Sequence, residues 1–278
     1  MALIVFFSLI WSSAFIVGKI PVTEIGAVGT LLFRFLISSI VLLPVCIFHP
    51  VSLWHWKTVR TGIMLGLLNN VLYLGLTFTA MNYISASLVV IIVSCAPFMA
   101  MVFASLNGTE TISMKKILGT LIALCGVIVV TRADASGVSL PGILFAVSGT
   151  AAFAYGTVSF HKSATSLSML HLNFWQSLTA VPVLLLILPF LPHALILPTL
   201  ISAAAIFYLA LAVTIGGMGL WLILIRRNGA STAASYHLLN PVSGLLLSAI
   251  LLGTPIEPRA ILGAIIIAAG LYITNRQQ

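Results

Sequence analysis

Residues 119–132 read GTLIALCGVIVVTR and residues 263–276 read GAIIIAAGLYITNR. The glycines fall in register, Gly119 with Gly263 and Gly126 with Gly270, and so does the closing arginine, Arg132 with Arg276. The same offset of 144 pairs Ala86-Ser87 with Ala230-Ser231 and Pro97 with Pro241. Lys19 pairs with Lys162 at an offset of 143. Chance matches apolar runs easily, but it rarely places a proline, two glycines and a terminal arginine together. The chain therefore reads as two related halves, residues 1–135 and 136–278.

Each half holds five long apolar runs. The spans are expected at about 1–18, 27–48, 61–81, 85–106, 114–131, 140–160, 169–191, 200–226, 231–252 and 259–275. A membrane-crossing helix needs about 20 apolar residues. Runs this long without alternation exclude barrel strands. Composition agrees: 61% of the residues are hydrophobic and 6% are charged, against about 45–50% and about 25% in soluble domains. So few charges cannot cover a soluble fold. The expected fold is an all-α membrane protein with ten transmembrane helices as two inverted five-helix repeats. Because five is odd, the second half enters the membrane from the opposite side. That layout places a substrate site at the junction of the halves in many secondary transporters.

The net charge of +8 is a topology signal, since the basic residues stand singly or in pairs at span ends. With the N-terminus inside, Lys57, Arg60, Lys115, Lys116, Lys162, Arg226, Arg227 and Arg276 fall inside, and Lys19, Arg132 and Arg259 outside. Arg34, within a span, is not counted. The split predicts that both termini are cytoplasmic. No cluster resembles a phosphate-tracking patch, so nucleic acid is not an expected partner. Met1 opens a span rather than a cleaved leader, for a charged n-region and an A-x-A site are missing. In the loop HPVSLWHWKTVR at 49–60, Trp54 and Trp56 read as an interfacial anchor, and His49 and His55 as interfacial polar residues. Cys46, Cys95 and Cys125 lie in apolar runs without metal-ligand spacing and read as small buried apolar side chains.

WSSAFIVGK at 11–19, FRF at 33–35, AMNYISAS at 80–87, SCAPFMAM at 94–101 and NGTETISMKKILGTLIALCGV at 107–127 carry a family resemblance. So do RNGASTAA at 227–234, NPV at 240–242 and LLGTPIEPRAILGAIIIAAG at 251–270. Over essentially its whole length the chain resembles the drug/metabolite transporter superfamily, in its ten-helix EamA-like branch. The resemblance implies a basket of ten helices around a central cavity that moves small metabolites, often outward, with no cofactor. Its members handle amino acids, purines, vitamins and cationic drugs. It also implies an architectural role for Arg34. The family's glutamate after the fourth span of each half matches Glu110, but the second-half position holds Thr254.

Polar and aromatic residues inside spans are the pointers to a site, because an unpaired polar group in lipid is costly. Asn69, Tyr73 and Thr77 share one face at i, i+4 and i+8. His237 and Asn240 lie one turn apart. Ser87, Ile91, Ser94 and Phe98 form a partly polar stripe. Trp11, Ser12, Tyr155, Ser159, Gln176 and Trp221 complete the set. The expected substrate-binding residues are Trp11, Ser12, Asn69, Tyr73, Thr77, Ser94, Tyr155, Trp221, His237 and Asn240. Each has a structural alternative, an interhelical hydrogen bond. Together they predict an aromatic-walled cavity with few formal charges, suited to an apolar, aromatic or zwitterionic solute. Glycines at 62, 66, 75, 216, 217, 219 and 244 read first as helix-packing sites, and Pro97 and Pro241 as a symmetric pair of bends.

All four carboxylates, Glu24, Glu110, Asp134 and Glu257, fall in loops or at span ends, which argues against coupling through a buried carboxylate. HExxH, GxSxG, Walker and intramembrane Asp-pair patterns are missing, so neither an enzyme nor an ATP-driven pump is expected. The sequence predicts a small-metabolite transporter of the bacterial inner membrane, an exporter or facilitator of amino acids or similar solutes. A channel-like pore and a drug or cation exporter are the alternatives. The oligomeric state stays open.

Overall fold

The computed structural model describes residues 2–49, 53–84, 86–131, 139–163, 167–190, 197–253 and 255–275. Their regular structure is entirely helical. We label the apolar helices α1 (Ala2–Ile47), α2 (Trp56–Ala80), α3 (Leu88–Leu106), α4 (Met114–Thr131), α5 (Leu140–Lys162), α6 (Met169–Phe190), α7 (Leu200–Asn228), α8 (Ala230–Leu251) and α9 (Pro258–Thr274). The first eight are long and apolar enough to cross a bilayer, and α9 is apolar but shorter.

Ten apolar runs become eight such helices for two local reasons. The first is α1, whose 46 residues, at 1.5 Å each, would make a rod of about 69 Å, twice the roughly 30 Å hydrocarbon core. It is no such rod, because Gly26 breaks it at φ 75° and ψ 168°, a conformation open to glycine without steric cost. The helix continues on both sides, giving arms 2–25 and 27–47. The segment 19–26 between the first two expected spans is thus largely helical. The second reason is the length of α9.

The paired stretches of the two halves pack against each other. The contact between α4 and α9 is the most extensive between helices. A Cβ on Gly119 would lie 2.7 Å from the carbonyl oxygen of Gly270, and one on Gly270 would lie 2.5 Å from that of Gly119. Gly126 and Gly263 oppose each other in the same way, at 2.7 and 2.9 Å. The residue number falls along α9 as it rises along α4, so the helices run antiparallel. Gly119 meets the counterpart of Gly126, and Gly126 meets the counterpart of Gly119. Such reciprocity is what a two-fold relation produces. Glycine is required here because any side chain would strike the partner's backbone.

A further feature recurs at an offset of 143 to 144. Gly66–Tyr73 within α2 and Leu209–Gly217 within α7 are π-helical, a geometry found in well under 1% of residues. Its wider turns leave carbonyls in need of donors, and on α7 an α6 side chain supplies them. Asn173 Nδ2 donates to the carbonyls of Thr214 and Ile215, at 2.9 and 3.1 Å. Asn70 Nδ2 donates in the opposite sense to the carbonyl of Gln176, at 3.0 Å. Arg34 Nε donates to Thr214 Oγ1 at 2.5 Å. Gly62 and Gly66 give α2 its close approach to Trp175 and Gln176 of α6. Gly75, Gly219 and Gly244 meet no neighbour within 4 Å, so packing does not explain them.

The expected bends are also present. Pro97 and Pro241 each stand at the start of a helical stretch. Before Pro97 the chain turns at Ser94-Cys95; before Pro241 it tightens into a 3-10 turn over Tyr236–Leu239. Proline lacks the N–H that would continue the preceding ladder. Ala96 and Ala100 at the first of these bends and Tyr236 at the second join Phe7, Phe153 and Trp221 in one buried core.

Candidate functional site: an aromatic cluster around His237

Against that core His237 is enclosed by rings. Its imidazole lies 4.5 Å from Trp221, 5.1 Å from Trp11, 5.2 Å from Phe7 and 5.2 Å from Phe153, centroid to centroid. Trp221 lies nearly parallel to both Phe7 at 5.5 Å and Phe153 at 5.6 Å. Tyr73 extends the group, 4.7 Å from Phe153. Trp221 is fully buried. Offset stacking and edge-to-face contacts at these distances are favourable arrangements for aromatic rings. Phe7, Trp11 and Tyr73 come from the first half of the chain, and Phe153, Trp221 and His237 from the second. The rings close upon one another where an aromatic-walled cavity is expected.

A polar line runs along one side of the rings. Ser8 Oγ donates to Asn240 Oδ1 at 3.1 Å and lies 2.8 Å from Ser243 Oγ. Asn240 Nδ2 lies 2.9 Å from His237 Nδ1. Ser12 Oγ donates to the carbonyl of Asn240 at 3.0 Å. The turn before Pro241 is what sets His237 and Asn240, three residues apart, side by side. The far nitrogen of the imidazole, Nε2, is buried without a hydrogen-bond partner. The cluster holds no formal charge.

Of the ten expected site residues, Trp11, Ser12, Tyr73, Trp221, His237 and Asn240 come together here. Asn69 lies apart, donating to Gln176 Oε1 at 3.3 Å, with Asn69 Oδ1 and Gln176 Nε2 left without partners. Thr77 and Ser94 turn inward to their own helices, donating to the carbonyls of Tyr73 and Val90. Tyr155 points away and packs edge-on against Phe103, with 42% of its surface exposed. Sequence reasoning missed Phe7, Ser8, Phe153 and Ser243. Phe7 and Ser8 precede Trp11 and Ser12 by one helical turn, so the stripe on the first span was there to be followed. Nothing marks Phe153 among the apolar residues of α5.

A second polar assembly lies at the loop 107–113. Glu110 accepts from the backbone N–H of Ala230 at 2.6 Å and of Ser231 at 3.2 Å, and from the Ser231 hydroxyl. Lys116 pairs with it at 3.2 Å. Burial alone pushes the Glu110 carboxyl up, but the Ser231 hydroxyl and backbone N–H and the Lys116 ammonium outweigh it, so its pKa is lowered. Gly229, at φ 82°, carries the chain past this carboxylate, where a Cβ would lie 2.8 Å from Oε1. An open cavity of about 700 Å³ adjoins the pair, lined by Ser105, Thr109, Thr232 and Thr274 among others. Glu24 similarly ties α1 to the start of α7, accepting from Thr199 N at 2.7 Å and from the Thr199 and Ser202 hydroxyls. Glu257 pairs with Arg259 at 2.6 Å. Arg132, Asp134, Thr254, Arg276 and the Ser87 side chain lie outside the described residues. Among the described residues no three His, Cys, Asp or Glu side chains gather as a metal site. Cys46 is buried, Cys95 partly buried and Cys125 exposed, so the last is not the buried side chain expected.

A family profile described as the EamA-like transporter family matches residues 1–132 and 140–276. The chain belongs to the EamA-like transporter family. It is a multi-pass membrane transporter. It is 29% identical over 206 residues to a probable amino-acid metabolite efflux pump of Salmonella typhimurium, covering 68% of this chain and 67% of that one. An uncharacterized transporter of Archaeoglobus fulgidus is 27% identical over 272 residues, covering 96% of this chain and 95% of that protein. An uncharacterized inner membrane transporter of Escherichia coli K12 is 26% identical over 241 residues, with 86% and 78% covered. A crystal structure with 19% sequence identity superposes with a TM-score of 0.82, covering 99% of this chain and 96% of that one. That likeness concerns the fold.

Proposed function

We propose that this transporter moves small apolar or aromatic amino acids, or similar solutes, by alternating access about the aromatic cluster. Its two five-helix halves, 1–135 and 136–278, are inverted repeats that cross the membrane ten times in all. α1 contributes two of those crossings and α9 the last. Both termini lie in the cytoplasm of a bacterium, and the membrane is the inner one. The observation that carries the reading is the ring cluster at the junction of the halves, where Phe7, Trp11 and Tyr73 meet Phe153, Trp221 and His237. Rings from both halves part when one half moves against the other, and a solute with an apolar body replaces their contacts. The reciprocal glycine contact of α4 and α9 supports the two-fold relation. The relatives described as probable amino-acid metabolite efflux pumps support the solute class. A continuous channel fits less well, because closed rings at the centre leave no path.

A thermal-shift screen of the detergent-solubilised protein against a metabolite panel tests this reading. A solute bound only by the folded state raises the melting midpoint by mass action. Apolar and aromatic amino acids are expected to raise it, and Trp221→Ala to abolish the rise. A panel in which only purines or only organic cations register would overturn the solute assignment.

A further inference from the structure

We propose that His237 orients the solute, its Nε2–H donating a hydrogen bond to a carboxylate oxygen whose apolar body stacks among Phe7, Phe153 and Trp221. This rests on the reading of the ring cluster as the solute site.

The argument begins at Ser8. Its hydroxyl donates to Asn240 Oδ1, which turns the amide NH₂ toward His237. An amide nitrogen only donates, so His237 Nδ1, 2.9 Å away, accepts. A neutral imidazole that accepts at Nδ1 carries its proton on Nε2. With Asn240 Nδ2 facing Nδ1, the imidazole proton sits on Nε2, and that N–H is aimed at the rings.

That N–H has no hydrogen-bond partner. A buried donor without an acceptor is costly, and such exceptions in a native structure call for a reason. The nearest ring, Trp221, offers at most its π-face, 4.5 Å between centroids and inclined at 64°. An N–H···π contact is weaker than one to a charged oxygen. A carboxylate arriving between the halves thus exchanges a poor partner for a good one. An apolar side chain attached to it takes over the ring contacts. Recognition of this type punishes analogues that lack the acceptor, because the donor is then left unpaired again.

Two probes and three variants test the assignment. L-Phenylalanine carries the carboxylate, and 2-phenylethylamine has the same ring and amine without it. Binding is read by isothermal calorimetry on purified protein, and the ligand-free melting midpoint reports folding. The wild type is expected to bind L-phenylalanine about tenfold or more tighter than 2-phenylethylamine. His237→Gln puts an amide N–H near the Nε2 position and is expected to keep L-phenylalanine affinity within about threefold. His237→Asn fills only the Nδ1 position, and His237→Phe keeps only the ring. Both are expected to lose about tenfold for L-phenylalanine and nothing for 2-phenylethylamine. Equal affinity for the two probes in the wild type overturns the proposal, and so does unchanged L-phenylalanine affinity in the Asn and Phe variants. If those variants fail to fold, the wild-type comparison of the two probes still decides. Should the wild type bind neither probe, the solute reading itself falls.

Discussion

Glu110 ties the loop after α3 to the start of α8. It serves the start of α8 with both carboxylate oxygens and holds Lys116. The equivalent positions at an offset of 144 are Thr254 and Ala260, so the pair has no charged counterpart in the second half. A carboxyl whose folded pKa is lowered adds stability that is fully present above its unfolded value, about 4.3. That stability is lost as pH falls through the folded value. The melting midpoint of the wild type is therefore expected to fall as pH drops below about 4. Glu110→Gln is expected to be less stable at pH 7 by about 1–3 kcal/mol for the lost charged hydrogen bonds, so to melt lower, and to lose part of the acid dependence. Identical pH–midpoint curves for the two proteins would remove Glu110 from this role. At the same scale, legibility followed chemistry. Trp11, Trp221, His237 and Asn240 stood out because polar or amphipathic groups are rare in apolar spans. Thr77 and Ser94 stand outside the cluster, because a hydroxyl in a helix satisfies itself on the carbonyl four residues back. Phe153 was hidden because a ring at the centre and a ring facing lipid look alike in an apolar run.

Among the elements, the α4–α9 pair makes the sharpest demand on sequence. Gly126→Ala and Gly270→Ala each place a methyl group against the partner's backbone, and overpacking of this kind costs about 1–3 kcal/mol. The midpoints of both variants are expected to fall by similar amounts. The double variant is expected to lose less than the sum, since one separation of the helices relieves both clashes. Strict additivity would show that the two contacts do not share an interface. Here the sequence was readable because backbone contact forces glycine at fixed spacing. The π-helical stretches of α2 and α7 were not readable, for a shift from i+4 to i+5 bonding leaves no compositional mark. Gly26 was ambiguous in the same way: a glycine between two apolar runs fits a loop or a helix that merely breaks.

For the whole molecule, the eight-to-three split of basic residues predicts both termini on the cytoplasmic side. A C-terminal alkaline phosphatase fusion is expected to be inactive, and a fluorescent-protein fusion bright. The reverse pattern would invert the topology. The most direct test of two halves alternating about the ring cluster is counterflow in proteoliposomes, with unlabelled L-phenylalanine inside, the labelled compound outside and no pH difference. Alternating access predicts a transient, saturable accumulation of label, independent of any proton gradient and lost in Trp221→Ala. Flux that never saturates, or uphill accumulation that appears only with an imposed pH gradient, would contradict the account.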